Sequence, residues 1–127
     1  MSSEPIQRVH KIYGYVRVST DEQAKNGISL DTQQKEITDF VKRVYDCKVD
    51  GFYTDDGVSG TIPTLINGEA NPDRPAMSQL LNALEEYDVI VCTRLDRFSR
   101  STTDMLNMIP FFNEINATIY FCEQMGD

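Results

Sequence analysis

The chain has 127 residues, with 12 lysines and arginines against 20 aspartates and glutamates, giving a formal net charge of −8. This length suits one compact domain, and no apolar run approaches the roughly 18–20 residues that span a bilayer. The acidic excess argues against a protein that holds nucleic acid through bulk charge, although net charge does not say where the charges lie.

The three cysteines bear on the cellular compartment. Cys47, Cys92 and Cys122 cannot all pair with one another, and the last two lie in apolar stretches. Buried free thiols are typical of a reducing compartment. We therefore expect an intracellular, cytoplasmic protein with no membrane segment.

The first part of the chain predicts two strands and one helix. Residues 1–10 show no pattern and are expected to form a loose N-terminal arm. The β-branched and aromatic run from Ile12 to Val18 predicts a strand, which a polar loop follows with a turn signal at Asn26-Gly27. Residues 32–45 predict a helix with one apolar face, and residues 49–53 predict a second, short strand.

A long interruption precedes the second part of the chain. Residues 58–71 contain Gly60, Pro63 and the pair Asn67-Gly68 and show no sustained period, which predicts a mobile surface loop. A helix is expected next, capped by Asp73 and with Pro75 in its first turn. The apolar run at 88–93 predicts a strand covered on both faces, and residues 117–122 predict a last strand.

The order of these elements predicts the fold class. A helix beginning at Ser101 is expected between the last two strands, with a kink or an end at Pro110. Strands and helices then alternate, which predicts an α/β fold: a mainly parallel central sheet, right-handed crossovers and helices on both faces. Sites in such sheets gather at the carboxyl ends of the strands, here residues 17–19, 55–60 and 94–100.

Arginines are concentrated at these predicted strand ends and helix starts. Several guanidiniums around one point would bind a phosphate and stabilise the added negative charge of a phosphoryl-transfer transition state. Each could equally form a surface salt bridge in so acidic a chain, and spacing alone does not separate the two interpretations. The residues concerned are Arg17, Arg74, Arg94, Arg97 and Arg100, whereas residues 101–127 contain no lysine or arginine.

Ser19 directly follows the first predicted strand, where a hydroxyl could act as a nucleophile. A serine at such a position is more often a turn or cap residue. Arg17 favours the nucleophile, because strand alternation puts residues 17 and 19 on the same side and lets a cation and a hydroxyl meet one phosphate.

Other reaction chemistries find little support. The single histidine, His10, lies in the predicted arm, which disfavours a Ser-His-Asp triad and hence a serine hydrolase. No cysteine–histidine spacing suits zinc, and no Walker-type sequence predicts ATP binding. Asp55, Asp56 and Asp96 could hold a divalent ion at the sheet edge, but Asp55-Asp56-Gly57 is more simply interpreted as an ordinary turn.

Five short motifs follow one another in order along most of the chain. They are Tyr15-Val16-Arg17-Val18-Ser19-Thr20 with Gln23, Ser29-Leu30-Asp31-Thr32-Gln33, Asp55-Asp56-Gly57-Val58-Ser59-Gly60, Asp73-Arg74-Pro75, and Leu95-Asp96-Arg97-Phe98-Ser99-Arg100. Together they resemble the catalytic domain of the serine recombinases, the resolvase/invertase family that includes the large serine integrases.

The resemblance implies a role for each matching residue. Ser19 would attack the scissile DNA phosphate, release a 3′-hydroxyl and form a 5′-phosphoserine bond. Asp96 would orient the arginines or take part in proton transfer. The cations expected around the phosphate are Arg17, Arg74, Arg97 and Arg100, and the expected supporting residues are Tyr15, Gln23, Gln33 and Arg94.

The resemblance also implies partners and domain organisation. The family needs neither metal nor nucleotide cofactor, because the energy of the broken phosphodiester is kept in the protein–DNA bond. The substrate would be double-stranded DNA recombination sites, with strands exchanged by subunit rotation in a synaptic tetramer of the homodimeric full-length protein. Residues 11–127 would then be a catalytic domain without the family's dimerisation helix and DNA-binding domain, weakly active or inactive alone.

The loop at 61–72 is longer than in small resolvases, and its mobility could leave Arg74 away from Ser19 until DNA binds.

A receiver-like regulatory α/β domain without catalytic activity is the alternative function. Such a domain would need an acidic pocket and a lysine, and the five-arginine pattern argues against it.

Overall fold

The computed structural model describes residues 9–21 and 29–123, in which strands are interspersed with helices. No helix within these residues is long and apolar enough to cross a membrane. The strands are β1 (Ile12–Val18), β2 (Gly51–Asp56), β3 (Leu65–Ile66), β4 (Glu69–Ala70), β5 (Val89–Cys92) and β6 (Thr118–Phe121). The helices are α1 (Leu30–Tyr45), α2 (Pro75–Ala83), α3 (Leu95–Phe98) and α4 (Thr102–Ile115).

Four of the strands form one parallel sheet in the order β2-β1-β5-β6. On one face, Ile37 and Val41 of α1 pack with Val16 of β1. On the other face, Leu80 of α2 and Met108 of α4 belong to a second apolar cluster. The predicted α/β fold, with a parallel sheet and helices on both faces, is confirmed.

The first helix and the second strand differ most from their predicted bounds. The first helix begins at Leu30, ahead of the predicted Thr32, because Ser29 caps it and accepts a backbone N–H at 3.1 Å. The second strand covers 51–56 instead of the predicted 49–53, because it pairs with β1 along this whole length.

The sequence predicted a kink or an end at Pro110, but the fourth helix continues through this residue to Ile115. Met108 and Phe112, on either side of the proline, are both buried in the core. Their burial outweighs the single backbone hydrogen bond that a proline removes from a helix.

The segment between β2 and α2 is more regular than the sequence predicts. Its strands β3 and β4 pair as an antiparallel hairpin, and the turn between them places Asn67 at φ 54° and Gly68 at φ 81°. Two consecutive left-handed residues form the kind of turn that asparagine–glycine pairs favour in hairpins. Leu65 is buried under this hairpin. The prediction of an unpatterned loop is therefore wrong for these residues.

The second helix starts without the cap that was predicted for it. Arg74, and not Asp73, occupies the N-cap position without a capping side-chain bond, and Pro75 begins the helix. The carboxylate of Asp55 accepts from two backbone N–H groups of the first turn instead, at 2.8 and 3.1 Å. The interpretation of Asp55-Asp56-Gly57 as an ordinary turn is thus wrong for Asp55, a buried strand residue.

His10, which the sequence placed in the loose arm, is tied to the folded domain. Its backbone N–H donates to the carbonyl of Tyr87 at 2.8 Å, and its ring Nδ1 lies 2.8 Å from the carboxylate of Asp88. Residues 1–8 of the predicted arm lie outside the described residues.

The three cysteines are free thiols that differ in exposure. Cys92 is buried, Cys122 is half-buried and Cys47 is exposed. Burial raises the pKa of the Cys92 thiol to about 12.

Candidate functional site

The candidate site lies where the two central strands of the sheet end. The strand β1 ends at Val18, and Ser19 follows it directly. The strand β5 ends at Cys92 and leads into α3, which carries Asp96 and Arg97. The chain leaves β1 towards β2 and leaves β5 towards β6 on the opposite side, an order that is expected to leave a crevice between them. This point of divergence is the usual ligand position in open α/β sheets.

Arg17 is the centre of the hydrogen bonding at this edge of the sheet. It is 1 % exposed, and its Nε donates to the carbonyl of Arg97 at 3.0 Å. Its Nη1 donates to the carbonyl of Val58 at 2.8 Å and its Nη2 to that of Asp96 at 2.7 Å. The guanidinium therefore joins the end of β1 to the segments that follow β2 and β5.

Gln33 of α1 fixes the backbone of Arg17 in turn. Its side-chain oxygen accepts from the Arg17 N–H at 3.3 Å, and its Nε2 donates to the Arg17 carbonyl at 3.0 Å. The strand β5 pairs only with residues 12–14 of β1, so the buried Gln33 amide takes the place of a strand partner beyond them. The carboxyl end of β1 is thus held although β5 stops short of it.

Tyr15 connects a buried arginine to a buried aspartate. Its hydroxyl donates to Asp55 Oδ2 at 2.7 Å and accepts from Arg74 Nη2 at 2.8 Å. Burial raises the pKa of Tyr15 well above its ordinary value, with Asp55 adding to the rise and Arg74 opposing it. The hydroxyl therefore keeps its proton and remains a donor to Asp55.

Arg74 is fully buried. Its Nη1 donates to the carbonyl of Ile62 at 3.4 Å, and its guanidinium lies 5.6 Å from the centre of the Tyr15 ring. Within the described residues its Nε has no hydrogen-bond partner and no carboxylate forms an ion pair with it. In this structure the Arg74 side chain thus lies against Tyr15.

Two arginines of the site reach solvent. Arg94 is half-buried, and its Nη2 lies 3.2 Å from Oδ2 of Asp96. Arg100 is exposed, and its backbone N–H donates to the carbonyl of Gly60 at 2.9 Å. Both side chains line an open pocket that the start of α4 completes.

Asp104 of α4 ties this pocket to the long segment before α2. The carboxylate is 4 % exposed and accepts from the Thr64 N–H at 3.0 Å and the Thr64 hydroxyl at 2.9 Å. It also accepts from the hydroxyl of Ser99 at 2.7 Å. Ser99 immediately precedes Arg100, so Asp104 restrains the backbone that presents this arginine.

The described residues predicted for the site lie on or directly beside β1, α1, α2 and α3, and they differ in exposure. Gln23 lies outside the described residues. Strand alternation predicted that Arg17 and Ser19 meet one phosphate, yet the Arg17 guanidinium is bonded to three backbone carbonyls. The buried members are Arg17, Arg74, Arg97, Tyr15 and Gln33; Ser19, Arg94 and Asp96 are half-buried, and Arg100 is exposed.

Sequence reasoning missed the roles of Asp55 and Asp104. A signal existed for Asp55, because the arginine before Pro75 cannot accept the N–H groups of a helix start and an acceptor must come from elsewhere. Asp104 has no local signal, since Thr64 lies 40 residues away along the chain. Within the described ranges, no group of three or more histidine, cysteine, aspartate or glutamate side chains is arranged to hold a metal ion.

Comparison with known sequences finds resolvases. A family model described as "Resolvase, N terminal domain" matches residues 12–127. The chain is 31 % identical over 107 residues to the Transposon Tn917 resolvase of Enterococcus faecalis, covering 84 % of this chain and 46 % of that protein. It is 32 % identical over 116 residues to the Transposon Tn3 resolvase of Escherichia coli, covering 89 % and 50 %. The chain spans about half the length of these curated relatives.

Comparison with solved structures gives the same kind of protein. The N-terminal catalytic domain of TP901-1 integrase matches with a TM-score of 0.72 and 30 % identity, over 91 % of this chain and 79 % of that chain. The C-terminal catalytic domain of ISC1926 TnpA, an IS607-like serine recombinase, matches with a TM-score of 0.63 over 93 % and 72 %. At 20 % identity the second likeness concerns the fold alone.

Proposed function

The chain belongs to the resolvase family of serine recombinases, as an N-terminal domain, and on this premise we propose that it is the catalytic part of a site-specific DNA recombinase. Ser19 is the proposed nucleophile. Its hydroxyl oxygen attacks the scissile phosphorus, the bond from phosphorus to the 3′ oxygen breaks, and a 5′-phosphoserine and a 3′-hydroxyl result. Attack of a 3′-hydroxyl on the phosphoserine after strand exchange reseals the DNA, so the number of phosphoester bonds is conserved.

The observation that carries this proposal is the position of Ser19. It follows β1 directly, at the divergence point of the sheet. Arg17, two residues earlier on β1, donates to the carbonyls of Asp96 and Arg97. A hydroxyl at this edge has cations on neighbouring segments, which is what a nucleophile needs when negative charge develops on a phosphate.

The arginines divide into two proposed roles. Arg100, which is exposed, and Arg94, which is half-buried, can meet a phosphate directly in this conformation. Arg17, Arg74 and Arg97 contribute positive potential from the interior, where charge interactions are stronger than in water. A phosphate oxygen would contact Arg17 by replacing one of the backbone carbonyls that it now binds.

We also propose that double-stranded DNA is the substrate and that catalysis takes place in a synaptic tetramer formed from two homodimers. The proposal rests on the family membership, and the chemistry it describes consumes neither a metal ion nor a nucleotide. Asp96 is the proposed orienting residue, since its carboxylate pairs with Arg94 and its carbonyl binds Arg17.

The test is the formation of a covalent protein–DNA adduct by the complete protein. Duplexes selected from a randomised library carry a nick beside the cleavage position, so that a cleaved strand diffuses away and the adduct accumulates. We expect wild type to form an adduct that mass spectrometry locates on Ser19, and Ser19→Ala to form none. Ser78→Ala, which changes a half-buried serine in α2, should react as wild type does.

An adduct that persists in Ser19→Ala, on any other side chain, would refute the assignment of the nucleophile. A wild-type protein that enriches no duplex and forms no adduct would refute the recombinase itself and favour a regulatory domain of the same fold.

A further inference from the structure

Gly60, in the segment after β2, has no room for a side chain. A Cβ atom at this residue would lie 2.6 Å from Cγ and 2.8 Å from Cδ of Arg100, and 2.8 Å from Nη2 of Arg17. Cβ atoms in proteins essentially never come within 3.0 Å of another heavy atom in this way. Any residue other than glycine must therefore displace one or both arginines.

The requirement at Gly60 is for space and not for an unusual backbone conformation. The glycines in the left-handed region are Gly57 and Gly68, at φ 82° and 81°. Gly60 is not among them, and it is buried. An alanine could adopt its backbone conformation without strain, so the cost of substitution comes from the two side chains in contact.

A Cβ atom at residue 60 could be accommodated only if Arg17 gave up hydrogen bonds or the guanidinium of Arg100 moved. Nη2 of Arg17 is held at 2.7 Å by the carbonyl of Asp96, and two further carbonyls hold the rest of the guanidinium. Arg100 is contacted at the middle of its side chain, so a shift there swings the guanidinium beyond it. Its backbone cannot retreat freely, since the Arg100 N–H donates to the Gly60 carbonyl at 2.9 Å.

We propose that Gly60 is a positioning residue of the recombinase site. The absence of a side chain lets the aliphatic part of Arg100 cross Gly60 next to the guanidinium of Arg17, which brings an exposed and a buried cation to the same side of the crevice. The role in catalysis depends on the function proposed above, whereas the effect of Gly60 on the two arginines does not.

The test substitutes Gly60→Ala in the complete protein, with Gly51→Ala as the matched control. A Cβ at Gly51 would meet only the Tyr13 ring, at an ordinary 3.9 Å. We expect Gly60→Ala to slow adduct formation on nicked duplex DNA by on the order of 10²-fold, because displacement of a catalytic group by about an ångström has that effect. DNA affinity should change little, and Gly51→Ala should match wild type in both quantities.

A spectroscopic readout follows the arginines independently of any reaction. The ¹⁵N–¹H signals of the Arg17 and Arg100 Nε groups should shift in Gly60→Ala and stay in place in Gly51→Ala. Adding Arg100→Ala removes the side chain that the new methyl group meets. Gly60→Ala should therefore slow the reaction less in the Arg100→Ala protein than in wild type, and it should also lower the thermal midpoint less.

Unchanged arginine signals in Gly60→Ala would overturn the proposal, whatever the function of the domain. Shifted signals with a wild-type rate of adduct formation would also overturn it, because the positions would then not matter. The proposal would also be overturned if Gly60→Ala unfolded the protein and Arg100→Ala did not partly restore folding. A wild type that forms no adduct refutes the proposed function, and the signals still decide whether Gly60 sets the arginine positions.

Discussion

A single hydroxyl, that of Tyr15, keeps a buried cation and a buried anion apart. It accepts from Arg74 and donates to Asp55, and no ion pair of Arg74 with a carboxylate occurs within the described residues. Asp55 in turn accepts the first N–H groups of α2, the helix that begins immediately after Arg74. The position of this arginine therefore depends on the tyrosine and on the start of the helix together.

Tyr15→Phe is expected to lower the free energy of unfolding by about 1–3 kcal/mol, because it removes one bond each from the buried Arg74 and Asp55. Urea denaturation measures the change. The control is Tyr53→Phe: this half-buried tyrosine of β2 packs edge-on to Tyr13 at 5.6 Å, and its hydroxyl has no hydrogen bond to the described part of the chain. Equal losses in the two variants would contradict the bridging role of Tyr15.

The motifs named the arginines expected at the site, but they carry no information on how these side chains are held. The acceptors of Arg17 are backbone carbonyls 41, 79 and 80 residues away along the chain. A carbonyl exists at every residue, so nothing in the sequence marks the three that are used. Burial of Arg17 follows from these partners and could not be predicted either.

Two buried carboxylates join helices and strands that neither helix caps nor strand pairing connects. Asp55 joins β2 to α2, and Asp104 joins α4 to both Ser99 and Thr64. The main strands and helices could be predicted because each buries a regular face, whereas β3 and β4 have two residues each and are too short to show a period. The connections could not be predicted, because they depend on which elements the fold brings together.

Asp104→Asn is expected to destabilise the domain by about 1–3 kcal/mol, since an amide offers one acceptor oxygen to three donors and turns its own N–H groups towards them. The exchange of the Thr64 N–H with deuterium should accelerate in the same variant. Asp39→Asn is the control, because within residues 9–21 and 29–123 this exposed carboxylate makes only a surface pair with Lys35 at 3.0 Å, worth about 0.5 kcal/mol or less. A Thr64 amide that exchanges as in wild type would contradict the proposed connection.

Across the whole molecule, a pair of carboxyl groups joins α1 to the residues that follow β6: Glu36 lies on α1, and Glu123 follows β6. A hydrogen bond to Glu123, together with burial, raises the pKa of Glu36 to about 7, and Arg94 acts in the opposite direction. The folded protein thus binds this proton more tightly than the unfolded chain. The stability that the pair contributes is complete at acidic pH, below the ordinary pKa of a glutamate, and is lost as pH rises through 7.

We expect the free energy of unfolding of wild type to fall relative to Glu123→Gln between about pH 5 and pH 8, because glutamine can donate to Glu36 without titrating. Urea denaturation at several pH values measures the difference, which cancels the contributions of the other titrating groups. A constant difference between the two proteins over this range would contradict the shared proton.

The incomplete bonding of Arg74 bears on how the domain opens. Its buried Nε has no partner in the described part of the chain, and that donor would gain a water molecule if the surrounding segment moved outward. A gain of this kind lowers the free energy of local opening at the β3–β4 hairpin and the start of α2, relative to the central sheet. If the proposed recombinase function holds, such an opening would let Arg74 reach a phosphate while β1 and β5 stay paired.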